Sequence, residues 1–200
     1  MDQVSANRRR RSLASAQGFS LLEMAIVLGI VLILAAIALP QLMSSISMSR
    51  VRGAAVDLSG LVQQARMMAE KQNTTLALYT GTLAGTGTGA FINCSPTACP
   101  SGGNGTAWQD GDPTVVLASG VTNAPAASAP SALNPGQGFV TEPDGTILFF
   151  NARGLPVLNN GTPCTGVIFY FTDSYHNWAA LSVSQAGRSK VWVWSGNSWN

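Results

Sequence analysis

The sequence predicts an α+β protein in which one long N-terminal helix packs on an antiparallel β-sheet. An apolar run over residues 19–39 contains a single charged residue and has the length of a membrane-spanning helix. Apolar residues then continue at helical spacing to about residue 72. From residue 139 onward, short runs of β-branched and aromatic residues alternate with turn sequences. These three patterns place the helix first and the sheet after it.

The composition indicates a folded chain without a general attraction for nucleic acid. Of the 200 residues, 46% are hydrophobic and 10% are charged, which excludes an intrinsically disordered protein. The formal charge is +2, but four of the eleven cations are the arginines at residues 8–11. Without residues 1–18 the chain carries seven cations and eight anions. No basic field therefore extends over the rest of the protein.

The first predicted element is a helix over residues 19–39, which at 1.5 Å per residue spans about 31 Å, the thickness of a bilayer core. Because the arginines at residues 8–11 precede it, the positive-inside rule places the N-terminus in the cytoplasm and everything after Pro40 outside it. The one charged residue of the helix is Glu23. A carboxylate within a membrane-spanning helix costs about 2.5–3.5 kcal/mol, so it usually has a partner.

Three interpretations of this segment compete. A secretory signal peptide would be cut near Ala36-Ile37-Ala38, but the apolar run is longer than the usual ~7–15 residues and carries an acid near its start. A simple membrane anchor accounts for the length and leaves Glu23 unexplained. The third interpretation also accounts for Glu23, and it begins with the residues that open the run.

The apolar run opens with Gly18-Phe19-Ser20-Leu21-Leu22-Glu23, after a short basic leader. This sequence resembles the cleavage signature of type IV prepilins. The resemblance implies that prepilin peptidase cuts between Gly18 and Phe19 and that the new amine of Phe19 is methylated. The methylated amine stays cationic, so the Glu23 carboxylate can pair with it. The resemblance further implies that this pair joins neighbouring subunits of a filament and sets their register, and that the helix breaks at Pro40.

Residues 40–72 are predicted to continue the helix as an amphipathic half, and residues 73–200 to form a globular β domain. The apolar stripe of this half comprises Val51, Ala54, Ala55, Leu58, Leu61, Val62, Ala65, Met68 and Ala69. Residues 74–80 predict a first strand. Residues 81–138 hold eleven of the 21 glycines and six of the ten prolines. They are predicted to be mostly loop, with a possible strand over residues 114–118.

Four further strands are predicted, at residues 146–150, 167–171, 178–183 and 190–194. The first two are apolar on both faces, which predicts central strands under the helix. Turn sequences separate the strands, and Ala186-Gly187 is predicted to close the last hairpin.

The order of these elements resembles the GspH/FimT branch of minor pilins and pseudopilins. The residues that carry the resemblance are Ala65-Arg66 late in the helix, Ile147-Leu148-Phe149 leading to Arg153-Gly154, and Leu181-Ser182-Val183 running into Gly187-Arg188. It implies a pilin-like fold and a structural subunit that primes or caps a type IV pilus or a type II secretion pseudopilus, with other pilin or pseudopilin subunits as partners. Such a subunit crosses the bacterial inner membrane once, has a periplasmic domain, and reaches the cell surface if it assembles into a pilus.

A candidate DNA-binding face lies near the C-terminus. Some FimT-type pilins are associated with DNA through a Gly-Arg-x-Arg motif, which Gly187-Arg188-Ser189-Lys190 resembles except for its final lysine. Lysine keeps the charge but loses the bidentate fork of arginine. On one strand Arg188, Lys190, Trp192 and Trp194 share a face, where cations would hold phosphates and tryptophans would stack on bases. The alternative is that both tryptophans are core residues and the cations only rim the sheet.

No catalytic site, metal site or cofactor is predicted. Asp173, Ser174 and His176 are too close in sequence to act as a catalytic triad, so they are interpreted as a turn. A disulfide is possible among Cys94, Cys99 and Cys164, and the sequence does not choose among the three pairings. The chain is therefore predicted to be a structural subunit and not an enzyme. DNA capture for uptake and a signal-cleaved exported enzyme are the alternatives.

Overall fold

The computed structural model describes residues 19–83, 87–93, 112–133, 147–158 and 160–200, and it confirms the α+β class. One long helix, α1, runs over Leu21–Gln72, and nine strands follow it within these residues. The chain divides into two compact units, Met1–Leu42 and Met43–Asn200. All of the described strands belong to the second unit.

Both ends of α1 follow from the local sequence. Ser20 precedes the helix, and its hydroxyl oxygen accepts a hydrogen bond from the Leu22 amide at 3.3 Å. At the other end Asn73 has a φ of 50°, and its amide donates to the Glu70 carbonyl at 3.3 Å. Asparagine tolerates this left-handed conformation better than most residues, so the chain leaves the helix here.

The second half of α1 has the amphipathic pattern that the sequence predicts. Its buried side chains recur every three or four residues and therefore lie on one face. They are Ser47, Val51, Ala54, Ala55, Leu58, Leu61, Val62, Ala65 and Ala69.

The strands form two antiparallel sheets, whereas the sequence predicts one. Their bounds are Leu76–Leu83 (β1), Gly87–Asn93 (β2), Thr114–Val116 (β3), Val121–Ala124 (β4), Ile147–Phe150 (β5), Pro156–Val157 (β6), Gly166–Asp173 (β7), Trp178–Ser184 (β8) and Ser189–Val193 (β9). The first sheet has the order β3-β2-β1-β5-β6 and the second the order β4-β7-β8-β9. Two sheets form because the segment between β2 and β5 supplies β3 to one sheet and β4 to the other.

The main core joins the buried face of α1 to both sheets. Among its most deeply buried side chains are Leu58 of α1, Phe150 of β5 and Phe169 of β7. Removing such a side chain from water stabilises the fold by about 1.5–3 kcal/mol. β5 and β7 each have a neighbour on both sides, so the prediction of two central strands is confirmed.

A second apolar cluster lies on the other face of the second sheet. Ile168, Tyr170, Trp178 and Ala180 pack there against Leu133. The Leu133 amide donates to the Tyr170 hydroxyl oxygen at 3.2 Å. Burial raises the pKa of Tyr170, and this hydrogen bond offsets the rise only in part.

Within the described part of residues 81–138 the structure contains β2, β3 and β4. The strand predicted over residues 114–118 is present as β3 over Thr114–Val116, whereas β2 and β4 were not predicted. Gly89 shows why glycine suits β2, because a Cβ atom there would overlap the Val115 carbonyl oxygen and the Leu83 side chain. Glycine at this position therefore lets the neighbouring strands approach β2 closely, although its composition alone predicts a loop.

Candidate functional site: the exposed helix and the domain surface

The first half of α1 is an apolar helix that no other described residue covers. Every residue over 19–46 is exposed except Ala35, which is half-buried. The helix is long and apolar enough to cross a membrane, and no residue of its most apolar stretch of 18 residues is buried. An uncovered apolar surface of this length needs lipid or other helices around it.

Glu23 lies in the first turn of α1 and is exposed. It follows Ser20 by three positions, which is the spacing of a capping box, and the helix dipole favours a carboxylate in this turn. Phe19 is 74% exposed at the start of the described chain. Gly18, the other residue of the predicted cleavage site, lies outside the described residues.

The helix continues without interruption through Pro40. Proline has no N–H to donate to the carbonyl four residues earlier, which weakens the helix locally. The helix break that the resemblance implies at Pro40 is therefore absent from α1 in this structure.

Asp173 joins the turn between β7 and β8 to the start of the domain half of α1. The Ser47 hydroxyl donates to its carboxylate, as do the Tyr175 amide at 2.8 Å and the Asn177 amide at 3.0 Å. The side-chain amide of Asn177 also donates, at 2.9 Å. Burial alone would raise the pKa of Asp173, but these hydrogen bonds outweigh it and lower the pKa. Asp173 is thus a structural anion that holds a turn against the helix.

Arg66 brings together the three sequence motifs that carry the resemblance to the GspH/FimT branch. Its side chain lies beside Gly154 in the β5–β6 turn and Gly187 in the β8–β9 turn, with φ values of +68° and +75°. A Cβ atom at Gly154 would overlap the Arg66 Cγ and the Glu70 carboxylate. The Arg66 Nε donates to Glu70 Oε1 at 3.3 Å, within a solvent-exposed i, i+4 pair. The motifs therefore describe a packed junction between the helix and two turns.

The start of β9 is also attached to α1. The hydroxyls of Ser59 and Ser189 share a hydrogen bond at 2.8 Å, and Gln63 Nε2 donates to the Ser189 hydroxyl oxygen at 3.2 Å. These contacts fix the residue that separates Arg188 from Lys190.

The candidate DNA-binding residues occupy the turn before β9, β9 itself and the residue after it. Arg188 is exposed, and Lys190 Nζ lies 3.3 Å from the ring centroid of Trp192. The Trp192 indole donates to the Ser182 hydroxyl oxygen at 2.9 Å, and the rings of Trp194 and Trp199 lie 5.4 Å apart.

Trp192 and Trp194 are half-buried against the second cluster, whereas Val191 packs on the main core, as strand alternation predicts. Each tryptophan ring thus already has an intramolecular partner. Phosphate contact by the cations is easier to accommodate here than base stacking.

The acid, hydroxyl and imidazole residues that the sequence analysis interprets as a turn lie at the connection between β7 and β8. Ser174 and His176 lie in the β7–β8 turn, where His176 has a φ of 60° and is exposed, so their interpretation as a turn is confirmed. No group of three or more His, Cys, Asp or Glu residues suited to a metal ion occurs in the described part of the chain. Cys164 is buried in the main core. Cys94 and Cys99 lie outside the described residues, so the pairing stays a prediction.

Sequence reasoning missed Ser47 as the helix partner of Asp173. The signal was present, because Ser47 is four residues before Val51 and so extends the apolar stripe toward the N-terminus. A polar residue on a buried face requires a hydrogen-bond partner. The identity of that partner depends on which turn the fold brings to the helix.

Neither a protein-family model nor a curated protein matches this chain. Among solved structures it is similar to the type IV minor pilin FimU of Pseudomonas aeruginosa PAO1, in two crystal forms. The first has 19% identity and a TM-score of 0.46, and the match covers 76% of this chain and 93% of that chain. The second has 19% identity and a TM-score of 0.44, with 74% and 95% covered.

Proposed function

We propose that this chain is a type IV prepilin-like structural subunit, a minor pilin or pseudopilin that primes or caps a pilus or a secretion pseudopilus. The observation that carries the proposal is the change of exposure within one continuous helix. Residues 19–46 expose apolar side chains, and from Ser47 onward the helix buries a stripe in its own domain. A soluble enzyme has no use for an uncovered apolar helix, but a subunit that moves from membrane to filament does.

Both environments can cover the first half of α1. In the inner membrane, lipid surrounds the helix while the domain lies in the periplasm. In a filament, the same apolar side chains pack against the corresponding helices of other subunits. Because each environment is apolar, transfer between them does not expose the helix to water.

Processing supplies the charge that Glu23 needs. Cleavage between Gly18 and Phe19 creates an amine on Phe19, and Glu23 becomes the fifth residue of the mature chain. The amine stays cationic after methylation, and its pairing with the Glu23 carboxylate of a neighbouring subunit offsets the desolvation of both charges. The pair therefore contributes to register more than to the stability of the single subunit.

The first test is the N-terminal mass of the protein from cells with and without prepilin peptidase. A mature chain that begins at methylated Phe19 only when the peptidase is present supports the proposal. A mature start near Leu39 would contradict it and favour the signal-cleaved exported enzyme.

The second test replaces the acid within the membrane segment. Glu23→Gln is expected to leave membrane insertion intact and to abolish assembly, measured as subunit in sheared filaments. The matched control is Glu70→Gln, which removes an exposed acid later in the same helix. Equal assembly of both variants would contradict the role of Glu23 in register.

DNA capture is the second candidate function. It is supported by two exposed cations, Arg153 and Arg188, on turns that meet where a Cβ atom at Gly187 would lie 3.2 Å from the Gly154 carbonyl oxygen. Fluorescence anisotropy of labelled DNA with residues 43–200 across a salt series tests it. Salt-sensitive binding that is lost in an Arg188/Lys190 double alanine variant supports DNA capture. Binding that is absent at low salt, or lost equally in an Arg50/Arg52 double alanine variant, contradicts it.

A further inference from the structure

Four of the five tryptophans of the chain lie on one face of the second sheet. With one tyrosine they form a surface that we call the aromatic face, which comprises Tyr170, Trp178, Trp192, Trp194 and Trp199. Strand register places Tyr170 of β7 opposite Ala180 of β8, and Ala180 opposite Trp192 of β9. Tyrosine and tryptophan are enriched among the residues that dominate the binding energy at protein interfaces. The aromatic face is therefore a candidate contact surface for another chain.

A segment that belongs to neither sheet packs over the aromatic face. Residues 125–133 follow β4 and have the sequence Pro-Ala-Ala-Ser-Ala-Pro-Ser-Ala-Leu, and we call them the strap. The strap contains one turn of 3₁₀ helix over Ala126–Ser128. On either side of this turn Pro125 and Ala129 have extended backbones, with ψ values of 149° and 145°. Two partly buried alanines and Leu133 pack against the aromatic face, whereas the other strap residues are exposed.

Among the described residues, two hydrogen bonds and one deeply buried side chain attach the strap to the aromatic face. The Trp199 indole donates to the Ser131 carbonyl oxygen at 3.0 Å. The Leu133 amide donates to the Tyr170 hydroxyl oxygen at 3.2 Å, and the Leu133 side chain is buried. Both hydrogen bonds use backbone groups of the strap. The aromatic face therefore selects the path of a backbone and its small apolar side chains, and it requires no polar side chain.

The strap is attached less firmly than the strands beneath it. β7 and β8 pair over seven residues, whereas the described contacts of the strap include only the two hydrogen bonds to the face. Segments with few buried contacts and no strand pairing open at a lower free energy than a sheet does. Opening the strap frees the Tyr170 hydroxyl and the Trp199 indole N–H. Both groups then become available to the backbone of another chain.

The strap itself defines the chemistry of a segment that fits the aromatic face. It has no charged residue, and two of its nine residues are prolines. Proline limits the conformations of a free segment, so such a segment loses less conformational entropy when it docks. Surfaces lined with aromatic residues are a recurrent docking site for proline-rich segments. An uncharged segment rich in proline and alanine, with an apolar residue at its end, therefore suits this face.

We propose that the strap is a displaceable cover and that the aromatic face docks a proline- and alanine-rich segment of another subunit in its place. Neighbouring subunits of a filament are held at a high effective concentration, which favours the exchange of a weakly attached cover for an equivalent segment of another chain. The identification of the other chain as a filament subunit rests on the proposed function. The aromatic face itself does not depend on cleavage or on membrane insertion.

The test is fluorescence anisotropy of a labelled peptide with the sequence of residues 124–133, titrated with the full chain in detergent micelles. The wild-type chain is expected to bind weakly, because the closed strap lowers the apparent affinity in proportion to the fraction of open molecules. Leu133→Ala removes the buried side chain that holds the strap and is expected to bind the peptide several-fold more tightly. A peptide that ends in alanine in place of leucine is expected to lose this gain.

Two tryptophan variants in the Leu133→Ala background separate recognition of the peptide backbone from unspecific adhesion. Trp199→Phe keeps an aromatic ring but removes the indole donor, so it is expected to lower the peptide affinity several-fold. Trp192→Phe is the matched control, because its indole donates to the Ser182 hydroxyl oxygen and not to the strap. It is expected to change the affinity far less. Far-ultraviolet circular dichroism shows that each variant is folded.

Hydrogen exchange at single-amide resolution tests the opening itself. The Leu133 amide, which is bonded to Tyr170, is expected to exchange faster in the wild-type chain than the paired amides of β7 and β8. If Leu133→Ala does not fold, a variant with residues 126–131 replaced by glycine and serine provides the open face.

Each outcome decides one part of the proposal. Peptide binding that increases in Leu133→Ala and decreases with Trp199→Phe supports it, as does a dimer of the open variant that the peptide disrupts. A Leu133 amide as protected as those of β8 overturns the displaceable cover, and an open face that binds no peptide overturns the docking site.

Equal losses for Trp199→Phe and Trp192→Phe also overturn the docking site, as does a dimer that the peptide does not disrupt, because the tryptophans then adhere without specificity. None of these results bears on cleavage before Phe19 or on assembly through Glu23. A failure of the docking site therefore leaves the proposed function standing, and a failure of the cleavage test leaves peptide binding as measured.

Discussion

The two halves of α1 have the same backbone conformation and opposite sources of stability. Among the described residues, the half in Met1–Leu42 buries almost nothing, whereas the half in Met43–Asn200 buries a stripe of nine residues in its own domain. The two halves therefore belong to one continuous helix but are stabilised by different contacts. The first half depends on an external apolar partner, and the second half is part of a core that forms without one.

The largest expected difference between the halves is the effect of losing a leucine. Leu58→Ala is expected to lower the free energy of unfolding by about 2–5 kcal/mol because it leaves a cavity in the main core. Leu28→Ala removes an exposed side chain and is expected to change it by less than about 0.5 kcal/mol. Denaturant unfolding of the full chain in detergent, followed by tryptophan fluorescence, measures both. Equal losses would contradict the comparison.

Glycine substitutions test how closely the β5–β6 turn packs against Arg66 and Glu70 at the C-terminal end of α1. Gly154→Ala is expected to destabilise the domain by about 1–3 kcal/mol more than Gly161→Ala, because only the first overlaps neighbouring side chains. Both glycines have positive φ, so an alanine at either position carries the left-handed backbone strain of about 1–2 kcal/mol. The difference in thermal unfolding midpoints isolates the contact with Arg66 and Glu70. It should shrink in an Arg66→Ala background.

The pH dependence of stability tests the hydrogen bond between Ser47 of α1 and the Asp173 carboxylate. The folded pKa of Asp173 is lowered, so its contribution is present above the unfolded pKa and is lost as pH falls through the folded value. Ser47→Ala removes a donor, so the pKa rises and this acid-dependent loss becomes smaller. A cost of about 1 kcal/mol at neutral pH is expected from the lost hydrogen bond. Ser49→Ala, exposed on the same helix, should leave both the stability and its pH profile unchanged.

The smallest expected effect concerns the exposed ion pair on the domain half. Glu70→Gln breaks the pair with Arg66 and is expected to cost less than about 0.5 kcal/mol, since solvent screens both groups. The cost should fall further at 1 M salt. A salt-independent loss above 1 kcal/mol, measured by calorimetry, would mean that Glu70 acts through packing beside Gly154.

Features set by residues close together in the sequence were predicted, and features set by contacts between distant segments were not. The helix was predictable because its signals lie within a few residues of each other, as in the spacing of Val51, Ala55 and Leu58. β2 was not, because its Gly, Ala and Asn residues have weak strand propensity and it is a strand through pairing with β1. Leu133 was missed for the same reason, since only Tyr170 and its neighbours make its position a buried one.

The candidate sites divide in the same way. The sequence predicted a membrane-length apolar run with Glu23 as its one charged residue, because length, charge order and hydropathy are local properties. It also predicted that Arg188, Lys190, Trp192 and Trp194 share one strand, but only Lys190 and Trp192 lie in β9, with Arg188 before it and Trp194 after it. It could not determine that the Trp192 indole bonds to Ser182, since that contact depends on β8–β9 register.

The sequence by itself determined which half of the helix is too apolar and too long to remain in water, and where the charged exception lies. Tertiary structure decided which surfaces the domain covers: it placed Asp173 on Ser47, and it packed the turns of Gly154 and Gly187 around Arg66. The physical reason is that hydrophobic periodicity is set by neighbouring residues. The partner of a buried polar group or a close-packed glycine is set by chain segments that meet only in the folded protein.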